Sequence, residues 1–178
     1  MQEWQQNTFR AYENIWADRN NAADPNNRTA WQAFFEYHGR MNSRYWAGMI
    51  SEQVSGKRLL ECGGATGTLT SLLAADGWEC SQIDITNEGP LLARSEFANC
   101  GLPGTLATAD VCQLPFADDT FDVVTSHGLL DLMPEIAPPI SEMIRVLKPA
   151  GFFVSSFFPR RSSVQTVTSS LAASMRAL

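Results

Sequence analysis

The sequence predicts an α/β fold, a Rossmann-like open and mostly parallel sheet with helices on both faces. Short apolar segments of strand character alternate with segments whose apolar residues repeat at helical spacing. Such alternation is typical of βαβ units, in which consecutive strands are parallel and the connecting helices cover the sheet. A glycine-rich turn follows the first strand-like segment, and polar residues follow the next three. Because ligands of open parallel sheets bind at the carboxyl ends of the strands, the pattern also predicts where a functional site lies.

Size and composition are those of one globular domain with an ordinary core. The 178 residues carry a net charge of −6, which disfavours nucleic acid because phosphate binding needs clustered Lys and Arg. No apolar run is long enough to span a membrane, and residues 1–10 lack a signal-peptide pattern, so we expect a cytoplasmic protein. The four cysteines are widely spaced, without C-x-x-C or paired histidines, and predict reduced thiols and no metal site.

Residues 1–54 predict a helical extension ahead of a domain at residues 55–178. Helical spacing indicates a short helix from Phe9 to Trp16, and a second helix runs from a cap at Thr29 to about Met49. The extension is rich in aromatic side chains, which either pack it onto the domain or form a lid over a pocket. The candidate lid or substrate contacts are Tyr37, His38, Tyr45 and Trp46.

Five strands and three connecting helices are predicted within residues 55–178. The strands are residues 58–62, 78–85, 105–109, 121–126 and 152–158. Helices are predicted at residues 68–75, at 90–99 and around 140–147. Gly77 and Gly101 end the first two helices, because glycine readily adopts the left-handed conformation of a helix cap. A turn is predicted at residues 148–151, where Pro149 cannot continue the third helix and Gly151 permits a reversal.

The glycine-rich turn reads E-x-G-G-A-T-G from Glu61 to Gly67 and leads into a helix N-terminus, where backbone N–H groups can approach a charged ligand. Its spacing is not the G-x-G-x-x-G of dinucleotide sites, and an acid at Glu61 suits a cationic amine better than a pyrophosphate. Asp84 follows the second strand, where a carboxylate can accept both hydroxyls of a ribose. Asp110 follows the third strand in the same way.

Four sequence blocks occur in a fixed order: L-L-E-C-G-G-A-T-G at 59–67, I-D-I at 83–85, A-D-V-C-Q-L-P-F-A-D-D-T-F-D-V-V at 109–124 and R-V-L-K-P-A-G at 145–151. On these blocks the sequence resembles the class I S-adenosylmethionine-dependent methyltransferases, in particular the small-molecule enzymes similar to ubiquinone/menaquinone biosynthesis methyltransferases. The resemblance covers about residues 55–158. It implies S-adenosyl-L-methionine as cofactor and methyl transfer to a small-molecule acceptor.

The resemblance also implies which residues hold the methionine end of this cofactor. Glu61 would do so together with four positions of the turn, namely Gly63, Gly64, Ala65 and Gly67. Ser126 and His127, which leave the fourth strand, would lie near the methionyl carboxylate and the transferred methyl group. His127 is thereby the candidate catalytic residue, as a general base.

At the nucleoside end, the resemblance assigns the ribose hydroxyls to Asp84 and places Ile85 against the adenine. Asp110 would accept a hydrogen bond from the adenine amino group, and Val111 or Cys112 would cover the other face of the ring. Asp84 as a turn former and Asp110 as a helix cap are the simpler alternatives, because Asp commonly serves in both.

The sequence departs from the family at three places. Ala65 and Ala150 stand where glycine is frequent, and the sheet is expected to lack the last two strands that family members usually add after the fifth. The fifth strand, residues 152–158, is apolar on both faces, which is typical of an interior strand. As an edge it would be a template for pairing with another chain. We therefore expect either a homodimer, through this strand or through exchanged C-terminal segments, or a truncated chain of marginal solubility.

Two other functions stay open on the sequence alone. One is a non-catalytic or truncated module that binds the cofactor without transferring the methyl group. The other is an NAD-dependent oxidoreductase, which the glycine spacing disfavours. The sequence does not identify the methyl acceptor.

Overall fold

The computed structural model describes residues 30–156, with side chains from residue 37 onward. The helices are α1 (Ala30–Gln53), α2 (Thr68–Ala75), α3 (Glu88–Cys100) and α4 (Ala137–Val146). The strands are β1 (Arg58–Cys62), β2 (Glu79–Asp84), β3 (Thr105–Thr108), β4 (Phe121–His127) and β5 (Leu147–Ser156). A short 3-10 helix at Leu130–Leu132 precedes α4. The predicted helix at residues 9–16 and the last two residues of the predicted fifth strand lie outside the described residues.

The five strands form one parallel sheet in the order β3-β2-β1-β4-β5. From β1 the chain adds β2 and β3 on one side and then crosses to add β4 and β5 on the other. The switch in strand order therefore lies between β1 and β4, where open parallel sheets bind their ligands. This topology confirms the predicted α/β class.

Both faces of the sheet are buried, because successive side chains of a strand point to opposite sides and helices cover each side. Leu59 and Val123 face a core built with α1, α2 and α3. Leu60 and Val124 face a second core built with α4 and with the chain between β3 and β4. None of the helices in residues 30–156 is long and apolar enough to cross a membrane.

Two predicted helix ends are confirmed by backbone geometry. Gly77 has a φ angle of 81° just beyond α2, and Gly101 has a φ angle of 64° as the C-cap of α3. Both angles lie in the left-handed region that glycine occupies without a steric penalty. The α1 helix continues four residues past its predicted end, to Gln53.

The predicted turn at residues 148–151 is wrong, because these residues lie within β5. Phe121 pairs with Leu147 and Val123 pairs with Phe152, so residues 148–151 form a bulge in the strand. The chain is already extended at Leu147, the residue that follows α4, and enters the sheet directly from this helix. A salt bridge of 2.7 Å from Lys148 Nζ to Asp122 Oδ1 ties the bulge to β4.

Among the described strands, β5 is an edge that pairs with β4 alone. Phe152 and Phe153 are 46% and 37% exposed on it. The expectation of an apolar strand at the edge of the sheet is thus confirmed for the part of the chain that the structure describes.

Ala150 provides a test of the bulge, because it is exposed and has a φ angle of 61°. A non-glycine residue in this conformation is destabilised by roughly 1–2 kcal/mol. Replacement by glycine removes this strain, but the greater conformational freedom of glycine in the unfolded chain offsets part of the gain. We expect Ala150→Gly to raise the free energy of unfolding by about 0.5–1 kcal/mol in urea denaturation. Ala98→Gly, in the ordinary helical backbone of α3, is the matched control and should lower it. A loss of stability in Ala150→Gly would contradict the bulge geometry.

Candidate functional site

The glycine loop, residues 63–67, leaves the carboxyl end of β1 at the switch in strand order. The N–H groups of Gly63 and Gly64 donate to the carbonyl oxygen of Ile83, at 2.8 and 3.2 Å. Gly63, Ala65 and Gly67 have φ angles of 73°, 48° and 72°, in the left-handed region. Gly63 and Gly67 adopt this conformation without steric penalty. Ala65, which stands where glycine is frequent in the family, adopts it at an energetic cost because of its methyl group.

Glu61 lies beneath this loop with 6% of its surface exposed. The backbone N–H and the hydroxyl of Thr70, on α2, both donate to its Oε2 atom. Burial raises the pKa of the carboxyl to about 7, against the lowering effect of the Thr70 hydrogen bonds, and Asp84 raises it further. A carboxyl group whose ionisation is disfavoured by burial gains most from a cation brought to it.

Asp84, at the end of β2, is joined directly to the loop. Its Oδ2 atom accepts the Ala65 N–H at 3.1 Å. Its Oδ1 atom accepts the N–H and the hydroxyl of Thr86 at 2.9 and 2.8 Å. A carboxylate offers about four lone-pair positions, so the group keeps capacity for a further donor. Ile85 follows it and is half-buried.

Asp110 is placed beside Asp84, because the N–H of Ala109 donates to the carbonyl oxygen of Asp84 at 2.9 Å. One oxygen of Asp110 accepts the N–H of Cys112 at 2.9 Å, so the residue also shapes its own turn. Val111 is buried in the second core, whereas Cys112 is half-exposed. Burial and the neighbouring Asp110 raise the pKa of the Cys112 thiol to about 11, which keeps it neutral.

Ser126 pairs with Cys62 across β1 and β4 and is completely buried. Its Oγ atom has no hydrogen-bond partner within residues 37–156. An unpaired buried hydroxyl is costly, and such groups in native structures call for an explanation. Its place at the carboxyl end of β4 makes it a candidate for contact with a ligand.

His127 is held by three neighbours. Its Nε2 atom is hydrogen-bonded to the Thr125 hydroxyl at 2.9 Å, and its Nδ1 atom to the Ser156 hydroxyl at 3.0 Å. The ring lies 4.8 Å from the ring of Trp46 at an interplanar angle of 33°. Burial lowers the pKa of His127 to about 4, so the imidazole is neutral at pH 7.

The four aromatic candidates of α1 fall into two groups. Trp46 is half-buried against the first core and reaches the end of β4 through His127. Tyr45 is 66% exposed and meets Trp46 edge to face at 5.4 Å. Tyr37 is 60% exposed and lies edge to face with His38. Both residues precede Trp46 by more than two helical turns, which places them roughly 12–14 Å from it along the helix axis.

The sequence reasoning missed Gln82, which is fully buried in β2 beneath the loop. Its Nε2 atom donates to the carbonyl oxygen of Ala65 at 2.7 Å, and its Oε1 atom lies 3.3 Å from the Thr70 hydroxyl. The sequence did carry a signal for it, namely an amide side chain within an otherwise buried strand. Gln82 stands two positions before Asp84, so the two side chains lie on the same face of the sheet.

A sequence model of the family described as "Methyltransferase domain" matches residues 60–155, more than half of the chain. Among curated proteins, the demethylmenaquinone methyltransferase of Clavibacter sepedonicus is 39% identical over 106 residues, which are 57% of this chain and 41% of that protein. The chain spans less than half the length of the curated relatives it matches.

Two solved structures illustrate the fold. Magnesium protoporphyrin IX methyltransferase from Synechocystis, with bound SAH, superposes with a TM-score of 0.69 over 82% of this chain and 67% of its own, at 18% identity. The cyclase SpnF superposes with a TM-score of 0.59 over 71% of this chain and 46% of its own, at 27% identity. The first likeness supports the architecture alone, because identity is low.

Glu61 and His127 make opposite contributions to the pH dependence of stability. The raised pKa of Glu61, about 7 against 4.5, means that its contribution to the free energy of unfolding falls as the pH rises from 4.5 to 7. The lowered pKa of His127, about 4 against 6.5, means that its contribution is complete above pH 6.5 and is lost as the pH falls toward 4. The two effects oppose each other over the same pH range.

We therefore expect Glu61→Gln to gain stability relative to the wild type as the pH rises from 5 to 8, by about 2 kcal/mol. Urea denaturation at a series of pH values measures this difference. Glu96→Gln, on the exposed face of α3, is the control and should show no such trend. A stability difference between Glu61→Gln and wild type that is independent of pH would contradict the raised pKa.

Proposed function

Because the chain belongs to the methyltransferase domain family, we propose that it binds S-adenosyl-L-methionine and transfers the methyl group of this donor to a small-molecule acceptor. The observation that carries the proposal is the pair of acids joined by the glycine loop. Glu61 lies buried beneath the loop, and Asp84 accepts a hydrogen bond from its backbone. A buried acid such as Glu61 suits an ammonium group, and a carboxylate at a strand end such as Asp84 suits the hydroxyls of a ribose.

The residues present fit this cofactor. The left-handed conformations of Gly63 and Gly67 shape the loop, and side chains at these two positions would meet Leu129 and Gln82. We propose that Ser126, at the carboxyl end of β4, lies near the methionyl carboxylate; its buried hydroxyl without a partner among residues 37–156 supports this placement. Asp110 and Cys112 then border the adenine, with Ile85 on its other face. When bound, the cofactor supplies a methyl group already activated by a sulfonium.

With the methyl group already activated, the task of the protein is to align the acceptor and exclude water. We propose that His127 contributes contact and orientation at the end of β4, in its neutral form. Its low pKa makes it a weak proton acceptor, and both of its nitrogens already have hydroxyl partners. If His127 instead acts as a general base, turnover should rise with pH near 4, where the imidazole loses its proton. Turnover should then also be lost in His127→Phe.

We propose that the acceptor binds between the end of β4 and α1, the described part of the extension at residues 1–54. Trp46 supports this placement because it stacks on His127 and is anchored in the first core. Tyr45 adjoins Trp46 and is exposed enough to meet an acceptor. Tyr37 and His38 lie farther along α1 and would meet only a larger acceptor.

A second candidate function is donor binding without methyl transfer. The likeness to SpnF, a cyclase by name, supports it, since a fold of this kind accommodates another activity. The two functions differ in product. Cell extract supplied with the donor and the protein should yield a compound heavier by one methylene if transfer occurs, and no such compound if the protein only binds.

Removal of the Asp84 carboxylate tests the donor site. We expect Asp84→Ala to weaken donor binding by about 1–3 kcal/mol, roughly 5- to 150-fold, because charge-assisted hydrogen bonds are lost. Isothermal calorimetry measures the affinity, and the melting temperature verifies that the variant is folded. Asp76→Ala, an exposed acid that follows α2, is the matched control. Unchanged donor affinity in Asp84→Ala would refute the ribose assignment.

We also propose that two copies associate through the β5 edge. The exposed Phe152 and the unpaired edge among the described strands support this proposal. Sedimentation should then give twice the mass of one chain at high concentration, and Phe152→Lys should shift the protein to the monomer. Leu91→Lys, at an exposed position of α3, should leave the mass unchanged. A wild-type protein that is monomeric at every concentration would exclude this dimer.

A further inference from the structure

The side chain of Gln82 fills the space directly beneath the glycine loop. None of its surface is exposed, and the loop lies between it and a ligand bound above. A buried amide is tolerated only when it is hydrogen-bonded. Its Nε2 atom donates to the carbonyl oxygen of Ala65 at 2.7 Å, and this bond fixes one peptide of the loop to β2.

Two glycines of the loop are adapted to this side chain. A Cβ atom added at Gly64 would lie 2.5 Å from Cγ of Gln82, and one added at Gly67 would lie 2.6 Å from its Oε1 atom. Gly67 also has a positive φ angle, which by itself favours glycine, but Gly64 has none. The three closest atoms to a Cβ at Gly64 all belong to Gln82. The need for glycine at Gly64 therefore comes from Gln82.

Gln82 is linked to Glu61 through one hydroxyl group. The hydroxyl of Thr70 lies between Oε2 of Glu61 and Oε1 of Gln82, and it has a single hydrogen to donate. When Glu61 is protonated, its own hydrogen can go to the Thr70 oxygen, which leaves the Thr70 hydrogen for Gln82. When Glu61 is ionised, the Thr70 hydrogen goes to the carboxylate. The hydrogen bonding of Gln82 thus depends on the charge of Glu61.

We propose that Gln82 is a positioning residue of the donor site, which holds the glycine loop from beneath and couples it through Thr70 to Glu61. The inference rests on the proposed function, because the loop and Glu61 are the residues assigned to the methionine part of the donor. Gln82 acts only through these groups. No role in the transfer step is assigned to it.

A double-mutant cycle tests the contact between Gln82 and Gly64. We expect Gly64→Ala to weaken donor binding about tenfold or more in calorimetry, because the new methyl group displaces Gln82 and with it the loop. In Gly64→Ala combined with Gln82→Ala, the methyl group enters the space that the amide has left, and donor affinity should recover in part. Gly48→Ala, a glycine of α1 with open space around it, is the matched control. Losses that simply add in the double variant would overturn the proposal.

The pH dependence of donor binding tests the link to Glu61. In Gln82→Met, which keeps the length of the side chain without its hydrogen bonds, the Thr70 hydrogen stays with Glu61 and favours the carboxylate. In the wild type, donor affinity should rise with pH as Glu61 ionises, because the carboxylate attracts the ammonium group of the donor. In the variant, the midpoint of this rise should move to lower pH by about half a unit or more. Asp84 on β2 acts electrostatically on Glu61, and the buried thiols of Cys62 on β1 and Cys80 on β2 are its other titratable neighbours; all three groups are unchanged in the variant. Weaker binding with an unmoved midpoint would show a purely structural role and overturn the coupling.

These outcomes are distinct from failure of the proposed function. If the wild-type protein binds no donor, the proposed function is wrong, and the same cycle is read from the free energy of unfolding in urea. Partial recovery of stability in the double variant then supports Gln82 as the support of the loop, and additive losses contradict it.

Discussion

The two peptide groups on either side of the Ala65 Cα atom are both held by side chains of β2. Asp84 accepts its N–H, and Gln82 donates to its carbonyl oxygen. The glycine loop therefore takes its shape from the neighbouring strand as well as from its own glycines. Because β2 is parallel to β1 and ends at the same edge of the sheet, the contacts that hold the loop also bring Glu61 and Asp84 together. The rest of the site is built around these two hydrogen bonds to Ala65.

Glu61, buried beneath the loop, is a group that reduces stability. A buried carboxyl without a cation beside it is unfavourable in its ionised form, and Glu61 has a raised pKa for this reason. Natural proteins keep such groups where activity requires them, at the expense of stability. Bound S-adenosyl-L-methionine would supply the missing positive charge through its amino group, so that the unfavourable burial becomes a source of affinity in the proposed complex.

The sequence predicted the strands and helices closely where the signals are local. The bounds of β1 and α2 follow from an apolar run, a glycine-rich turn and a second run at helical spacing, and the structure has them as predicted. The prediction at residues 148–151 failed because Pro and Gly suggest a turn ahead of the strand, whereas pairing with β4 begins at Leu147 and resumes at Phe152 across a bulge. Propensity is a weak prior where the sheet imposes its own geometry.

The candidate site was predictable at its acids and glycines, which stand at the ends of strands, but not at the groups that hold them. Gln82 and Thr70 act through contacts between residues nine or more positions apart, and Thr86 acts through a turn whose geometry the sequence does not state. The neutral state of His127 was hidden for the same reason. It results from burial at the end of β4, where the ring contacts Trp46 of α1. Trp46 lies 81 positions earlier, on a helix that the sequence places no nearer to β4 than to any other strand.

The identity of the ligand is the central claim, and one calorimetric comparison tests it most directly. The protein would be titrated separately with S-adenosyl-L-methionine, with its demethylated product and with NAD, at a pH above the pKa of Glu61. We predict binding of the donor and of its product, both of which carry the amino group and the ribose, and no heat from NAD. Binding of NAD alone would contradict S-adenosyl-L-methionine as the ligand.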